Sequence, residues 1–463
     1  MLIDLQVCQT RADFASLLDV PVKELTHTLF KVPDASKYSS FCISKKNGGT
    51  RHILAPCSPL KWLQRRLLSV LYQCEDDIEA ARGRSSNLHF GFRRGLNIYD
   101  NAYVHRGKRH TFNIDIADFF DQINFGRVRV FFIKDHRFRL QEPVATVIAQ
   151  IACFNKLLPQ GSPTSPHIAN LVSQFFDNRM TRFLRPQRCR YTRYADDITI
   201  STDLRDFPQT IATNTGVAPQ GWEPTQALRN IFARAGFAIN DSKTRMSTHG
   251  SRQSVTGLVV NDRPNVTREY YLQTRAMCDH LFKNGTFVEA NICDGFGENC
   301  PAVEPIGEPA PSSPLMALEG RLSHIHYIRE RSDSRTIQKK QDEPTQFWCM
   351  LQRFYLFKYF VANPRPVILT EGPSDISHLR SAILHSATLF DNLASVKNGT
   401  RTIVAHFFRF DGNASQVIGL TGGSGNIKRF LYLYNKSQKL FNQSLRHQPV
   451  IIVVDNDKGV RTR

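Results

Sequence analysis

Two hydrophobic periods alternate along the chain. Over residues 1–290 strand-like alternation and helix-like three- and four-residue spacing interleave as continuous mixed α/β structure. Within it, TFNIDIADFF (111–120) predicts a strand ending at Asp115 and then a turn. RYTRYADDITIST (190–202) predicts two strands joined at Ala195-Asp196-Asp197, with both aspartates projecting from a hairpin turn. Ser165 before Pro166 predicts a helix capped by Ser165, with Ile168, Leu171, Phe175 and Phe176 on its buried face. Residues 290–314 are rich in Gly and Pro and read as an exposed loop or linker. Helical spacing returns over 315–361 and stops at Asn363-Pro364 and Arg365-Pro366. A second α/β pattern follows. VILTEG (367–372) and VIIVVD (450–455) read as buried strands. Between them a helix is expected, capped by Ser374, with Ile376, Leu379, Ile383 and Leu384 on one face. The expected fold class is α/β multidomain, divided into 1–265, 266–362 and 363–463.

The charge narrows the function. The 463 residues carry 60 Lys+Arg against 41 Asp+Glu, a net charge of +19. Such an excess favours a polyanion partner, because Lys and Arg on phosphates release counterions. No apolar run approaches the ~20 residues of a membrane span, and Asp4 interrupts any leader-like start. Ten cysteines without a CxxC pair suit reduced thiols, so a cytoplasmic location and no membrane are expected.

The first chemical constellation is acidic. The strand ending at Asp115, laid beside the turn with Asp196 and Asp197, gathers three carboxylates that repel one another unless divalent cations neutralise them. Two Mg²⁺ ions so held clamp the attacking and leaving oxygens of a phosphoryl transfer. A Tyr-x-Asp-Asp string alone is a weak sign. Here FxIDIxxFF, LPQGSPTSP, YADD and GFAINDSKTR follow in order, and the set resembles the polymerase motifs of reverse transcriptases. Asn101-Ala102-Tyr103-Val104-His105 and Val255-Thr256-Gly257 narrow the resemblance to bacterial retron reverse transcriptases over residues 1 to about 361.

That resemblance implies a right-hand fold, with fingers and palm over 1–265 and a thumb over 266–362. It implies Asp115, Asp196 and Asp197 as catalytic metal ligands and Phe120 as the aromatic that excludes a ribose 2′-OH. Gln160 and Gly161 would line the nucleotide pocket, Arg51 (with Lys45 and Lys46 nearby) would grip the triphosphate, and Lys243 would donate a proton to pyrophosphate. Asn101, His105, Val255, Thr256 and Gly257 would contact nucleic acid. In the thumb, basic residues interleaved with Tyr270, Tyr271 and Tyr327 would bind backbone and bases. The partners implied are a cognate structured non-coding RNA, its branched RNA-linked single-stranded DNA product (msDNA) and dNTPs.

The second constellation lies in 363–463. Glu371-Gly372 and Asp455-Asn456-Asp457-Lys458-Gly459 each follow an expected strand, and in a parallel sheet strand ends form a ligand crevice. The pattern resembles a TOPRIM domain of the nuclease type. It implies Glu371, Asp455 and Asp457 as catalytic, with Asp375 as a further ligand, for one or two Mg²⁺ or Mn²⁺ ions. Because the chain ends four residues after Gly459, a domain cut short at its C-terminus is expected. The function implied is an RNA-directed DNA polymerase of a retron with a fused nuclease effector in anti-phage defence, and a homo-oligomer is compatible with it. Two alternatives stay open: a reverse transcriptase without a toxin role, and an RNA–DNA scaffold in which TOPRIM only binds or processes nucleic acid.

Overall fold

The computed structural model describes residues 1–44, 49–83, 88–216, 221–287, 314–389, 393–410, 412–421, 424–445 and 448–454. The chain divides into two compact units, Met1–Asn265 and Val266–Arg463.

The first unit opens with helices and then a hairpin, β1 (Tyr38–Ser44) and β2 (Thr50–Pro56), paired from Tyr38↔Pro56 to Ser44↔Thr50. A short helix, α1 (Ile98–Val104), leads into β3 (His110–Ile116). A long helix, α2 (Ser165–Leu184), precedes β4 (Arg190–Tyr194) and β5 (Asp197–Thr202), and β6 (Ile239–Thr248) completes an antiparallel sheet of order β4-β5-β3-β6. Phe112, Ile114, Ile116, Ile198 and Ile200 are all at most 1% exposed and join one core with Ile168, Leu171 and Phe176 of α2. Thr111, Thr192, Thr199 and Ser201 are buried too, so both sides of the central strands are covered. A small hairpin, β7 (Ser254–Val255) and β8 (Leu258–Val259), turns on Thr256 and Gly257 at φ 47° and 83°. Two consecutive left-handed residues are what a two-residue turn of this hand requires.

Two expectations for α2 are corrected. Thr164 occupies the N-cap position and Ser165 is the first helical residue. Phe175 is exposed, with the Arg179 guanidinium 4.0 Å over its ring, because Phe176 already fills the inward position.

The second unit contains α3 (Arg268–Asn284), α4 (Pro314–Glu330) and α5 (Gln346–Leu356). They are followed by β9 (Val367–Leu369), α6 (Pro373–His385), β10 (His406–Phe407) and β11 (Val450–Ile452). The three strands form a parallel sheet of order β10-β9-β11. Its helical and α/β parts share packing. Phe360 stacks within 5.2 Å of Phe408 and 4.8 Å of Phe430, Phe282 lies 5.3 Å from Phe441, and Gln352 donates to the Val417 carbonyl at 3.0 Å.

Here too the sequence expectations need adjustment. β9 is buried throughout, but β11 is only partly so, since it is an edge strand paired on one side among the described residues. Gly372, not Ser374, is the N-cap of α6: the Asp375 carboxylate reaches back to the Gly372 N–H at 2.9 Å. Ile376, Leu379 and Ile383 pack on Ile368 and Phe407, whereas Leu384 stands outside that cluster. Of the Gly/Pro-rich stretch, only Pro314, the first residue of α4, is among the described residues. Among the described residues no helix is long and apolar enough to cross a membrane.

Candidate active site

Sheet register brings the aspartates together. Asp115 is the cross-strand partner of Asp197, and directly opposed residues of an antiparallel pair share a face. The β4–β5 turn places Asp196 beside them, and the Asp196 carbonyl accepts from the Ile116 N–H at 3.0 Å. Ala195, which makes the turn, is held at φ 57°.

The support beneath this turn escaped the sequence reading. Arg193 has no exposed surface and lies on Asp177, itself 1% exposed, through Nε and Nη2 at 2.8 Å each. Its Nη1 also donates to the Ala195 carbonyl at 3.1 Å and to Asn170 Oδ1 at 3.2 Å. The Tyr191 hydroxyl donates to Asp177 at 2.7 Å. One buried guanidinium fork thus fixes the strained residue immediately before Asp196. From the other side Gly91 closes over the turn so tightly that a Cβ there would lie 2.6 Å from the Ala195 nitrogen.

The electrostatics are those of an acid-rich cleft. Loss of hydration, then Asp196 and Asp115, push the Asp197 carboxyl up to about 6. Asp197 keeps solvent access, which moderates that shift. Asp196 is raised by loss of hydration and by Asp115, while Lys243 and Arg51 pull the other way. Lys243 Nζ sits 2.9 Å from Asp115 Oδ2, and Asn240 donates to Oδ1 at 3.2 Å. Loss of hydration lowers the Lys243 pKa, but its bond to Asp115 and the charges of all three aspartates outweigh that and raise it. Three carboxylates against one bonded ammonium leave negative charge over, and hard oxygen donors suit Mg²⁺. No three metal-ligating side chains among the described residues converge on one point. Mg²⁺ does not need a closed cage, because it is commonly held by one or two carboxylates plus substrate phosphates.

Of the expected nucleotide-binding residues, Arg51 acts electrostatically on Asp196. Gly161 sits at φ 119°, and a Cβ there would lie 2.6 Å from the Leu54 carbonyl, whose own N–H donates to the Gln160 carbonyl at 2.7 Å. The close approach that Gly161 permits is therefore to β2, the strand that carries Arg51. Phe120 packs edge-on against Phe119 at 5.4 Å, and the Phe92 ring lies 6.3 Å from it. Lys45 and Lys46 lie outside the described residues.

The nucleic-acid-contacting role expected of Asn101, His105 and Val255 is corrected. They are 1%, 0% and 0% exposed, and a wholly covered side chain has no surface to offer a ligand. His105 bonds Ser201 Oγ and Thr192 Oγ1 at 2.7 Å each, covering the polar side of the sheet. Burial depresses it to about 3. Thr256 donates to the Ile98 carbonyl at 3.3 Å, so the turn with Thr256 and Gly257 rests on α1. Of this group, Gly257 is exposed and Thr256 partly so.

In the second unit, Arg321 stacks over Tyr270 at 4.2 Å and Arg329 over Tyr271 at 4.4 Å. Glu371 lies just past β9, after Thr370, and the Val453 N–H donates to the Leu369 carbonyl at 2.8 Å, so β9 and β11 end side by side. Asp375 is engaged in capping α6. Asp455 and Asp457 lie outside the described residues.

Residues 43–270 match the family described as reverse transcriptase (RNA-dependent DNA polymerase). Retron Ec86 reverse transcriptase of Escherichia coli is 30% identical over 53% of this chain and 70% of its own length. Retron Mx65 reverse transcriptase of Myxococcus xanthus is 31% identical over 59% of this chain and 63% of its own length. A solved structure of apo telomerase from Candida tropicalis aligns at a TM-score of 0.36 with 12% identity, over 51% of this chain and 56% of that one.

Proposed function

The chain belongs to the retron reverse transcriptase family, and from that premise we propose that its first unit copies a structured partner RNA into DNA. The observation that carries the proposal is Asp115 opposite Asp197 in the sheet, with Asp196 on the pinned turn beside them. In the reaction the primer hydroxyl attacks the α-phosphorus of a dNTP and pyrophosphate leaves. Two Mg²⁺ ions bound by Asp115, Asp196 and Asp197 would stabilise charge on the attacking and leaving oxygens. Arg51 offers a planar fork to the triphosphate, a better match to phosphate oxygens than a lysine. Gln160 and Gly161, in the loop that packs on β2, bound the nucleotide site. Lys243, with its raised pKa, keeps its proton beside Asp115 and can pass it to the leaving pyrophosphate. Phe120 blocks the space a ribose 2′-OH would take.

In the retron reading, priming from an RNA 2′-OH yields msDNA, and the stacked arginine–tyrosine pairs of α3 and α4 grip the RNA. The second unit adds a TOPRIM-type nuclease acting in anti-phage defence, in which Glu371, Asp455 and Asp457, with Asp375, hold Mg²⁺ or Mn²⁺. The parallel pairing that ends β9 beside β11 supports it.

The test is expression with the neighbouring non-coding region, followed by extraction of small DNA and debranching. Wild type should yield a discrete DNA that debranching shortens, and Asp196→Ala with Asp197→Ala should yield none. A chain that makes no such DNA but extends generic primers would sink the retron part alone. For the effector, Glu371→Gln should leave the DNA intact and abolish growth arrest; persistent arrest would contradict the nuclease reading.

A further inference from the structure

The segment Leu88–Asn97 holds an aromatic side chain where neither backbone preference nor core packing places one. Phe92 sits at φ 57° and is 45% exposed. A residue with a Cβ in the left-handed region is strained, and nearly half of this side chain remains in solvent, so burial gives little in return. Yet the surrounding backbone is tightly fixed. The Phe90 N–H donates to the Arg193 carbonyl at 2.9 Å, and the Arg193 N–H donates to the Leu88 carbonyl at 2.8 Å. Asn170 Nδ2 donates to the Gly91 carbonyl at 2.7 Å, and Gly91 itself abuts Tyr194 and Ala195. Beyond Phe92, Arg93 pairs with Glu79 and Arg94 with Asp76. The same Arg193 that pins the turn before Asp196 therefore also anchors the strand of chain that delivers Phe92.

What the strained residue reaches is Phe120, at 6.3 Å between ring centroids and 54° between planes. Phe120 also meets Phe119 at 5.4 Å, and Phe119 is buried against Phe237 at 5.7 Å. Phe120 thus touches both a ring rooted in the core and a ring presented by a loop clamped to the aspartate turn.

We propose that Phe92 is a positioning residue for nucleotide selection: it props the Phe120 ring in the orientation that excludes a ribose 2′-OH. The inference rests on Phe120 being the sugar-excluding residue, as proposed above. Phe92 acts through Phe120 and need not touch the nucleotide. Strain at one residue is then retained because it fixes the angle of another.

The experiment measures kcat/KM for a dNTP and the matching rNTP on an RNA template, with thermal melting of each variant. Phe92→Ala and Phe92→Gly should each lower discrimination against the rNTP about tenfold, the scale of a lost apolar contact in a pocket. Use of the dNTP should change far less. Phe92→Tyr should keep wild-type discrimination. Because glycine accepts the left-handed backbone, Phe92→Gly should melt above Phe92→Ala while losing as much selectivity. That opposition is something a merely structural role does not produce. Phe120→Ala is the control. If it relaxes selection and the Phe92 variants do not, this inference fails alone. If Phe120→Ala leaves selection unchanged, the sugar-excluding role of Phe120 fails and this inference with it. If the Phe92 variants lose dNTP and rNTP use in equal proportion, Phe92 is structural and the proposal is overturned.

Discussion

His105 shows how far a residue's chemistry can depart from its setting. In HRGKRH (105–110) it reads as part of a basic strip, but the fold buries it between Ser201 and Thr192. His89 and His167 are likewise covered, and burial lowers the three to about 3, 3 and 4. A depressed histidine stays neutral in the fold but takes a proton near 6.5 when unfolded. The unfolded chain then binds more protons below that pH, so stability falls as pH drops from about 6.5 toward 4, by up to about 1.4 kcal/mol per pH unit for each histidine. Melting of the first unit should steepen over that window, and a flat profile from pH 7 to 4 would contradict the burial. Arg193 makes a second prediction at this scale. Arg193→Met leaves the buried Asp177 charge without its guanidinium, at a cost of about 3–5 kcal/mol. Adding Asp177→Leu should recover part of the melting temperature but not turnover, because the Ala195 carbonyl has lost the guanidinium that held it. Equal recovery of both would show that the network is structural only. Arg193 was legible in principle: an arginine inside the β4 alternation and an aspartate on the apolar stripe of α2 are each costly alone and make sense as a pair.

At the level of elements, the strands carrying Asp115 and Asp197 and the turn carrying Asp196 were readable because period-two alternation sets the face and the Ala-Asp-Asp string marks the turn. The strand at the start of VIIVVD, Val450–Ile452, was readable as well, but its burial was not, because edge position depends on which strands pair. Cap positions slipped by one or two residues at Ser165 and Ser374, where Thr164 and Gly372 take the role. Gly161 belongs to this scale, since its missing Cβ lets the Gln160-Gly161 loop lie on β2. Gly161→Ala should therefore destabilise the first unit by about 2 kcal/mol or more, from the left-handed backbone and the clash with the Leu54 carbonyl together. It should also weaken dNTP binding more than the corresponding change at Gly257, whose Cβ would meet open space. Equal effects at both glycines would contradict the packing.

At the level of the whole molecule, the sequence suggested a separation near residue 362, where two X-Pro pairs end a helix. Within the second unit, aromatic packing runs across that point, through Phe360 with Phe408 and Phe430 and through Phe282 with Phe441. Such contacts link residues far apart in the chain, so local pattern does not reveal them. A chain cut after Ala362 should expose these rings, lower the melting temperature of the second unit and promote aggregation. A soluble, cooperatively melting 1–362 fragment would contradict that.

Templated synthesis at Asp115, Asp196 and Asp197 is the central activity proposed for this protein. The most direct measurement is single-nucleotide addition to a DNA primer on four RNA templates that differ only in the first templating base, comparing wild type with Asp196→Asn, Asp197→Asn. Wild type should add the complementary dNTP on each template. The double variant should be slower by at least about 10³-fold, the several kcal/mol that metal-assisted charge stabilisation supplies. Addition that ignores the template, or that survives in the double variant, would contradict it.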